Sequence, residues 1–353
     1  VAYTNKGGKQ MKKRQLFNLM KNTAEDIDKY LIEKLEELEK EDRLLHESVS
    51  RLVSLRRNKP KLRATLGRLI YEYCGGKNWH DILPLLGFME LSTISTYVLD
   101  DIIDSQPERE GKIATHEEFG LNYGIIAGSL QAFISIKLLS DLKIKDCSKL
   151  KILTLANQMW EILWVGEGIN EDMKDDTTAA KYIERCYKIC GVMFETMAKT
   201  SAIAADSSDR EVEQFGEIGR VFGTGVMARN DLTCFLPEEI MRKNSKALSR
   251  ISFEDVRKGI WTYPIICAME KEESDKAQIR KLLGNKKASG EELLDLTKTL
   301  IRLGCIDETL DLITSYKLKG LDRVDRLNES DPKAYLVELF ELLENTREYV
   351  KEL

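Results

Sequence analysis

The chain has 353 residues, of which 42% are apolar, 32% charged and 7% aromatic, enough hydrophobic material to bury a substantial core. Its 22 glycines and 6 prolines exclude collagen-like, Pro-rich and Gly/Ser-linker classes. With 54 basic against 59 acidic residues the net charge is -5, so the overall balance gives no argument for a nucleic-acid partner, and none is expected.

The first residues, VAYTNKGGKQMKKRQ, are basic but lead into no apolar stretch, so a secretory signal is not expected. From residue 9 to residue 57 the chain is highly charged, with Leu31, Leu35, Leu38, Leu44 and Leu45 as its apolar positions. That pattern predicts one or two amphipathic helices, either resting on the core with a solvated face or docking a partner. Between Pro107 and Pro237 lies a long Pro-free interval in which Ile152, Leu155, Met159, Ile162 and Leu163 recur at helical spacing, and alternating strand patterns are nearly absent. Turn-forming clusters predict helix breaks at 58–60, 75–78, 105–111, 170–176, 207–209, 237–245, 272–276 and 284–290. An all-α chain follows, with a charged helical extension over 1–57, a core over 58–271 and a C-terminal helical part over 272–353 packed on the same bundle.

No run reaches the roughly 18 to 20 uninterrupted apolar residues of a membrane-crossing helix, so the chain is not expected to span a membrane. Seven cysteines, at 74, 147, 186, 190, 234, 267 and 305, contain no CxxC pair and fit a reducing compartment, with a cytoplasmic location expected. Three histidines leave little for a zinc site.

The segment Tyr97-Val-Leu-Asp-Asp-Ile-Ile-Asp104 carries the clearest chemistry, an apolar helical pattern interrupted by Asp100, Asp101 and Asp104. On a helix, positions 100 and 104 lie about 40° apart and one turn along the same face. Carboxylates gathered in this way repel one another unless a cation neutralises them. Mg²⁺ suits the site, since it binds through one or two carboxylates and leaves its other positions to water and substrate phosphates. An acidic turn in solvent shows the same pattern when taken alone. Arg109 follows, a guanidinium able to bind two oxygens of a diphosphate.

This stretch resembles the first aspartate-rich motif of the trans-isoprenyl diphosphate synthase and class I terpene synthase superfamily, DDxxD followed after four residues by two arginines and a glycine. Asp100, Asp101, Asp104, Arg109 and Gly111 match, and Glu110 stands where the second arginine belongs. The resemblance runs from about residue 59 to residue 269: Lys61-Leu-Arg63 resembles the KRLR segment, and Glu90 the glutamate upstream of the aspartates. FGTGVMARNDLTCFLPEE occupies the place of the second aspartate-rich motif, and Asp255-Val-Arg-Lys258-Gly-Ile-Trp-Thr-Tyr-Pro264 resembles DLxxGKxTLP with Ile260 in place of the lysine. The resemblance implies the isoprenoid synthase fold, a single large helical bundle around a central apolar cavity. It also implies an allylic isoprenyl diphosphate as substrate, three Mg²⁺ ions with bound diphosphate, and a homodimer. Asp100, Asp101 and Asp104 are the expected catalytic carboxylates.

The departures are informative. In chain-elongating members a lysine, a histidine and the second arginine hold isopentenyl diphosphate, and those positions here are Pro60, Thr93 and Glu110. Exchanging three cationic groups for an imide, a hydroxyl and a carboxylate predicts poor binding of this second substrate. Asn230, Cys234 and Glu238 have the i, i+4, i+8 spacing of the terpene synthase metal triad, which drifts only about 80° around a helix. Cys234 is a soft ligand for Mg²⁺, and Pro237 interrupts the helix. Asp100, Asp104, Asn230, Cys234 and Glu238 are accordingly the expected metal ligands, and Arg109, Arg185 and Arg229 the expected diphosphate ligands. Tyr97, Thr96, Phe133, Trp160, Trp164, Phe194, Phe222 and Trp261 are expected to line the cavity, with small Ser95 and Thr96 leaving depth for a C20 or longer chain. The resulting expectation is a class I terpene cyclase of synthase ancestry. A prenyltransferase and a non-catalytic partner subunit of one are the other readings.

Overall fold

The computed structural model describes residues 6–243, 252–271 and 273–351. The chain divides into two compact units, one formed by Val1–Asn157, Thr196–Gly216 and Glu329–Glu338, the other by Gln158–Glu195, Glu217–Asn328 and Leu339–Leu353.

The first unit begins with α1 (Lys6–Glu39), whose Leu16, Met20, Ala24, Ile27, Leu31 and Leu35 form one buried stripe at three- and four-residue intervals. The stripe packs on α2 (Arg43–Leu55), α3 (Leu62–Tyr73) and α4 (Leu83–Ile103), so the charged segment rests on the core. Asp42 caps α2 by accepting the Leu45 N–H at 2.8 Å. Pro84 opens α4, where its missing N–H costs nothing. After α4 the chain reverses through a hairpin of β1 (Glu108–Arg109) and β2 (Lys112–Ile113). Its turn residues Glu110 and Gly111 both have positive φ, 56° and 72°, as a tight hairpin turn requires. A short α5 (Thr115–Phe119) leads to α6 (Leu121–Leu138), which packs closely along α4. Gly128 permits that approach, since a Cβ there would stand 2.6 Å from Leu99 Cγ.

Two stretches, Trp79–Ile103 and Leu121–Asp141, are long and apolar enough to cross a membrane by length and composition, a test that the buried core helices of a globular protein also pass. In the first stretch 72% of the apolar window is buried inside the protein, and in the second 39%. Leu121, Ile125, Ile126 and Phe133 leave an apolar face of α6 exposed.

Further helices follow in both units: α7 (Asp146–Glu171), α8 (Ala179–Cys186), α9 (Val192–Ala204), α10 (Asp209–Thr233), α11 (Glu238–Lys243), α12 (Glu254–Lys258), α13 (Tyr263–Met269), α14 (Glu273–Leu282), α15 (Gly290–Arg302), α16 (Cys305–Asp325), α17 (Asp331–Glu341) and α18 (Asn345–Val350). A π-helical turn, Tyr187–Gly191, joins α8 to α9. In the second unit Phe194, Phe222 and Phe340 meet edge to face, with ring centroids 5.3 and 5.0 Å apart. Breaks at 58–60, 75–78 and 105–111 fall between helices as expected, and those at 170–176, 207–209 and 284–290 overlap the neighbouring helix ends by one or two residues. The predicted break at 237–245 instead contains α11, and residues 273–276 of the one at 272–276 form the first turn of α14; residues 244–251 and 272 lie outside the described residues.

Candidate active site

In the first unit the acidic motif occupies the last turn of α4 and its cap. Asp101 is only 2% exposed, whereas Asp100 and Asp104 are half-buried. The hairpin carries Arg109 back over this turn. Its Nε donates to Asp101 Oδ1 at 2.8 Å and its Nη2 to Asp100 Oδ2 at 3.1 Å, so one guanidinium bridges two carboxylates. The Tyr97 ring meets two guanidinium groups, Arg56 at 5.1 Å and Arg109 at 5.2 Å from its centroid. Thr96 donates its hydroxyl to the Thr93 carbonyl at 2.8 Å, and Ser95 donates to the Gly128 carbonyl at 2.7 Å, so both small side chains are engaged by backbone.

A second charged cluster lies beside the first. The segment joining α2 to α3 brings Arg56, Lys59 and Lys61 to Asp28 of α1, Glu90 of α4 and Glu110 of the hairpin. Lys61 Nζ is 2.9 Å from Asp28 and 3.5 Å from Glu90, Arg56 Nε is 3.6 Å from Glu90, and Lys59 Nζ is 3.3 Å from Glu110. Arg56 also hydrogen-bonds Glu110 directly. Burial alone would push the Glu90 carboxyl up, but Lys61, Arg56 and Arg63 outweigh it and hold the pKa below its ordinary value. Glu110 is therefore not the bare repulsive charge expected from its position: Arg56 and Lys59 neutralise it. Arg56 and Asp28 escaped the sequence reading. Asp28 had a signal, a carboxylate on the buried stripe of α1 between Ile27 and Leu31. Thr93 is buried and donates to the Met89 carbonyl at 2.8 Å.

In the second unit Asp231 is fully buried and accepts from Tyr182 Oη at 2.9 Å and Arg185 Nη1 at 2.7 Å. Arg185 Nε donates to Asn170 Oδ1 at 2.7 Å. Burial opposes the Arg185 charge, yet Asp231 keeps the guanidinium protonated, and burial with Asp231 raises Tyr182 well above the usual phenol range. Arg185, expected as a diphosphate ligand, is thus held by an internal carboxylate. Arg229 and Asn230 are half-buried neighbours, with Arg229 Nη2 3.3 Å from Asn230 Oδ1.

The expected helical face through Asn230, Cys234 and Glu238 does not form. Helix α10 ends at Thr233, Cys234 is buried in the following turn, and Glu238 is exposed at the start of α11. Phe253 N donates to the Cys234 carbonyl at 2.6 Å, and Pro237 has no N–H with which to continue the helix. Two cavity assignments also need correction: Phe133 is 75% exposed on α6, and Trp164 is 40% exposed, stacked on half-buried Trp160. Phe194 and Phe222 pack against one another, and Trp261 is nearly buried.

The chemistry of the donors separates the two motifs. Asp100 and Asp104 offer hard carboxylate oxygens that fit Mg²⁺, while Asn230 offers a carboxamide oxygen and Cys234 only a soft, buried sulfur. Among the described residues no three His, Cys, Asp or Glu side chains gather into a cation cage.

A family model described as polyprenyl synthetase matches residues 42–300. The chain is 26% identical over 277 residues to a geranylgeranyl diphosphate synthase of Methanosarcina mazei, covering 78% of this chain and 82% of that protein. It is 28% identical over 227 residues to a short chain isoprenyl diphosphate synthase of Methanocaldococcus jannaschii, covering 62% and 66%. Among solved structures, geranylgeranyl pyrophosphate synthetase from Pyrococcus horikoshii superimposes with a TM-score of 0.84 at 22% identity, over 94% of this chain and 98% of that one. This last likeness shows the fold, the all-α fold of isoprenyl diphosphate synthases. The relatives are named as diphosphate synthases, which overturns the expectation of a terpene cyclase. That expectation weighed Pro60, Thr93 and Glu110 together and missed Arg56, which packs beside Glu110 with Lys59.

Proposed function

The chain belongs to the polyprenyl synthetase family, and on that premise we propose that it is a trans-prenyltransferase joining an allylic diphosphate to isopentenyl diphosphate to make a longer prenyl diphosphate. The observation that carries the reading is the pair of charged stations in the first unit, Asp100, Asp101 and Arg109 in one and Arg56, Lys59 and Lys61 in the other, with Arg109 and Arg56 both against the Tyr97 ring. Two diphosphates need two such stations. A C20 product is the length named for several relatives, and a cytoplasmic enzyme fits this reading.

Asp100 and Asp104 are the residues that would hold Mg²⁺ at the first station. When bound, Mg²⁺ supplies charge neutralisation and polarisation of the leaving diphosphate. Arg109 adds a fixed guanidinium for the charge that develops as the allylic C–O bond breaks and its electron pair departs with the diphosphate. The isopentenyl double bond then attacks the allylic carbon, and loss of a proton restores a double bond in the lengthened chain. At the second station the incoming diphosphate displaces Glu110 from Arg56 and Lys59, while Glu90 keeps Lys61 and Arg56 in place. Tyr97 contacts both Arg56 and Arg109 and so links the two stations.

The apolar face of α6, with Leu121, Ile125, Ile126 and Phe133, supports a homodimer as the working form. Pyrophosphate release tests the chemistry. It is expected to require Mg²⁺, allylic diphosphate and isopentenyl diphosphate together; equal release from the allylic diphosphate alone would overturn the proposal.

A further inference from the structure

Helix α1 lies outside residues 42–300, the segment that the family model matches, yet one of its side chains reaches the second station. Asp28 is buried at 4% exposure between Ile27 and Leu31. Its Oδ2 accepts the Asn58 N–H at 2.7 Å, and its Oδ1 lies 2.9 Å from Lys61 Nζ. Arg56 ends α2 and Lys61 starts α3, so one carboxylate holds both the middle and the far end of the segment that joins these helices.

That segment is a tight turn. Asn58 has a left-handed φ of 60°, which asparagine adopts more readily than most residues, and Lys59 N donates to the Arg56 carbonyl at 3.1 Å. Arg56 and Lys59 flank Asn58, and both reach Glu110, so the direction of these two cations depends on how the turn is held. Pro60 fixes its own φ and has neither donor nor charge, so it stiffens the turn without adding a cation. A buried carboxylate left without partners is costly, which ties Asp28 to Asn58 and Lys61 and the turn to α1.

We propose that Asp28 is a positioning residue for isopentenyl diphosphate. From α1 it sets the turn at Asn58 and the place of Lys61, and so aims Arg56, Lys59 and Lys61 as one cationic face at the incoming diphosphate. A diphosphate is held by several donors at set distances, and a shift of about 1 Å in the turn weakens that hold without touching Asp100, Asp104 or Arg109. A role in charge alone would have the opposite sign. Asp28 neutralises Lys61, and taking an anion out of the station would strengthen its grip on a diphosphate.

The proposal rests on the prenyl-transfer reading, and steady-state kinetics of the full-length protein test the two separately. Asp28→Ala removes both contacts, and the KM for isopentenyl diphosphate is expected to rise about tenfold, with kcat and the KM of the allylic diphosphate within about twofold of wild type. Asp28→Glu keeps the charge but moves the carboxylate outward by one methylene; it is expected to raise the same constant severalfold, and it carries the test if Asp28→Ala does not fold. An isopentenyl diphosphate KM that is unchanged or lowered in the folded variants overturns the positioning role, as does an equal rise in the KM of both substrates. A wild type that releases pyrophosphate equally well without isopentenyl diphosphate overturns the prenyl-transfer reading itself.

Discussion

Glu90 keeps its negative charge at 4% exposure only because Lys61, Arg56 and Arg63 outweigh the cost of burial. Its folded pKa lies below the ordinary 4.5, so its contribution to stability is complete above that value and is lost as the pH falls through the depressed one. Glu90→Gln leaves Lys61 with Asp28 and Arg56 with Glu110 but removes the buried charge that both share, and is expected to cost about 1.5–3 kcal/mol at neutral pH. Urea unfolding at descending pH should show the gap between variant and wild type narrowing; a constant gap would count against the ion-pair origin. Asp100 lies partly exposed at the end of α4, so Asp100→Ala should leave the circular dichroism spectrum unchanged while lowering pyrophosphate release about 10²–10³-fold. Glu110→Gln removes the internal competitor at Arg56 and Lys59, and the KM for isopentenyl diphosphate should fall with little change in the KM of the allylic substrate. A raised KM for isopentenyl diphosphate would show that Glu110 supports the substrate instead of competing with it. The aspartates and Arg109 were legible in the sequence because their spacing follows one helix and one turn. Arg56 and Asp28 were not, since their importance comes from chain segments that fold together from distant positions.

Helix spacing and turn chemistry expose most elements in advance. The breaks at 58–60, 75–78, 105–111 and 284–290 contain Asn58, Gly75, Ser105, Glu110, Gly111 or Gly284 at positive φ, and short polar residues or glycine mark most of them. Pro237 announced an end to α10, but the helix stops earlier, at Thr233, and the hydrogen bond from Phe253 that holds the turn at Cys234 comes from nearly twenty residues further along. The hairpin of β1 and β2 was read only as a break, since two-residue strands leave no alternation to detect. Packing of α4 on α6 depends on Gly128, which periodicity cannot reveal. Gly128→Val, whose Cβ would fall 2.6 Å from Leu99 Cγ, should destabilise the protein by about 1–3 kcal/mol in thermal or urea unfolding. Gly168→Ala in α7, where a Cβ meets nothing within 4 Å, is the contrasting case and should be neutral or stabilising by up to about 1 kcal/mol. Equal losses in the two variants would show that α4 and α6 are not in tight register.

At the scale of the whole molecule, the order of the short motifs revealed the family and the all-α fold, because their spacing depends on a shared backbone. The reaction was misread because it was inferred from three substituted side chains, whereas charge at a diphosphate station is a sum over every group that folding brings there. The exposed face of α6 belongs to this scale too. Phe133→Glu, at a position 75% exposed, should shift the protein from dimer to monomer in light scattering without loss of helicity; an unchanged mass would place the dimer contact elsewhere or remove it. The most direct measurement is mass spectrometry of the product formed from an unlabelled allylic diphosphate and isotopically labelled isopentenyl diphosphate. Prenyl transfer requires the label to appear in a lengthened diphosphate. An unlabelled hydrocarbon, or no product with both substrates and Mg²⁺ present, would contradict it.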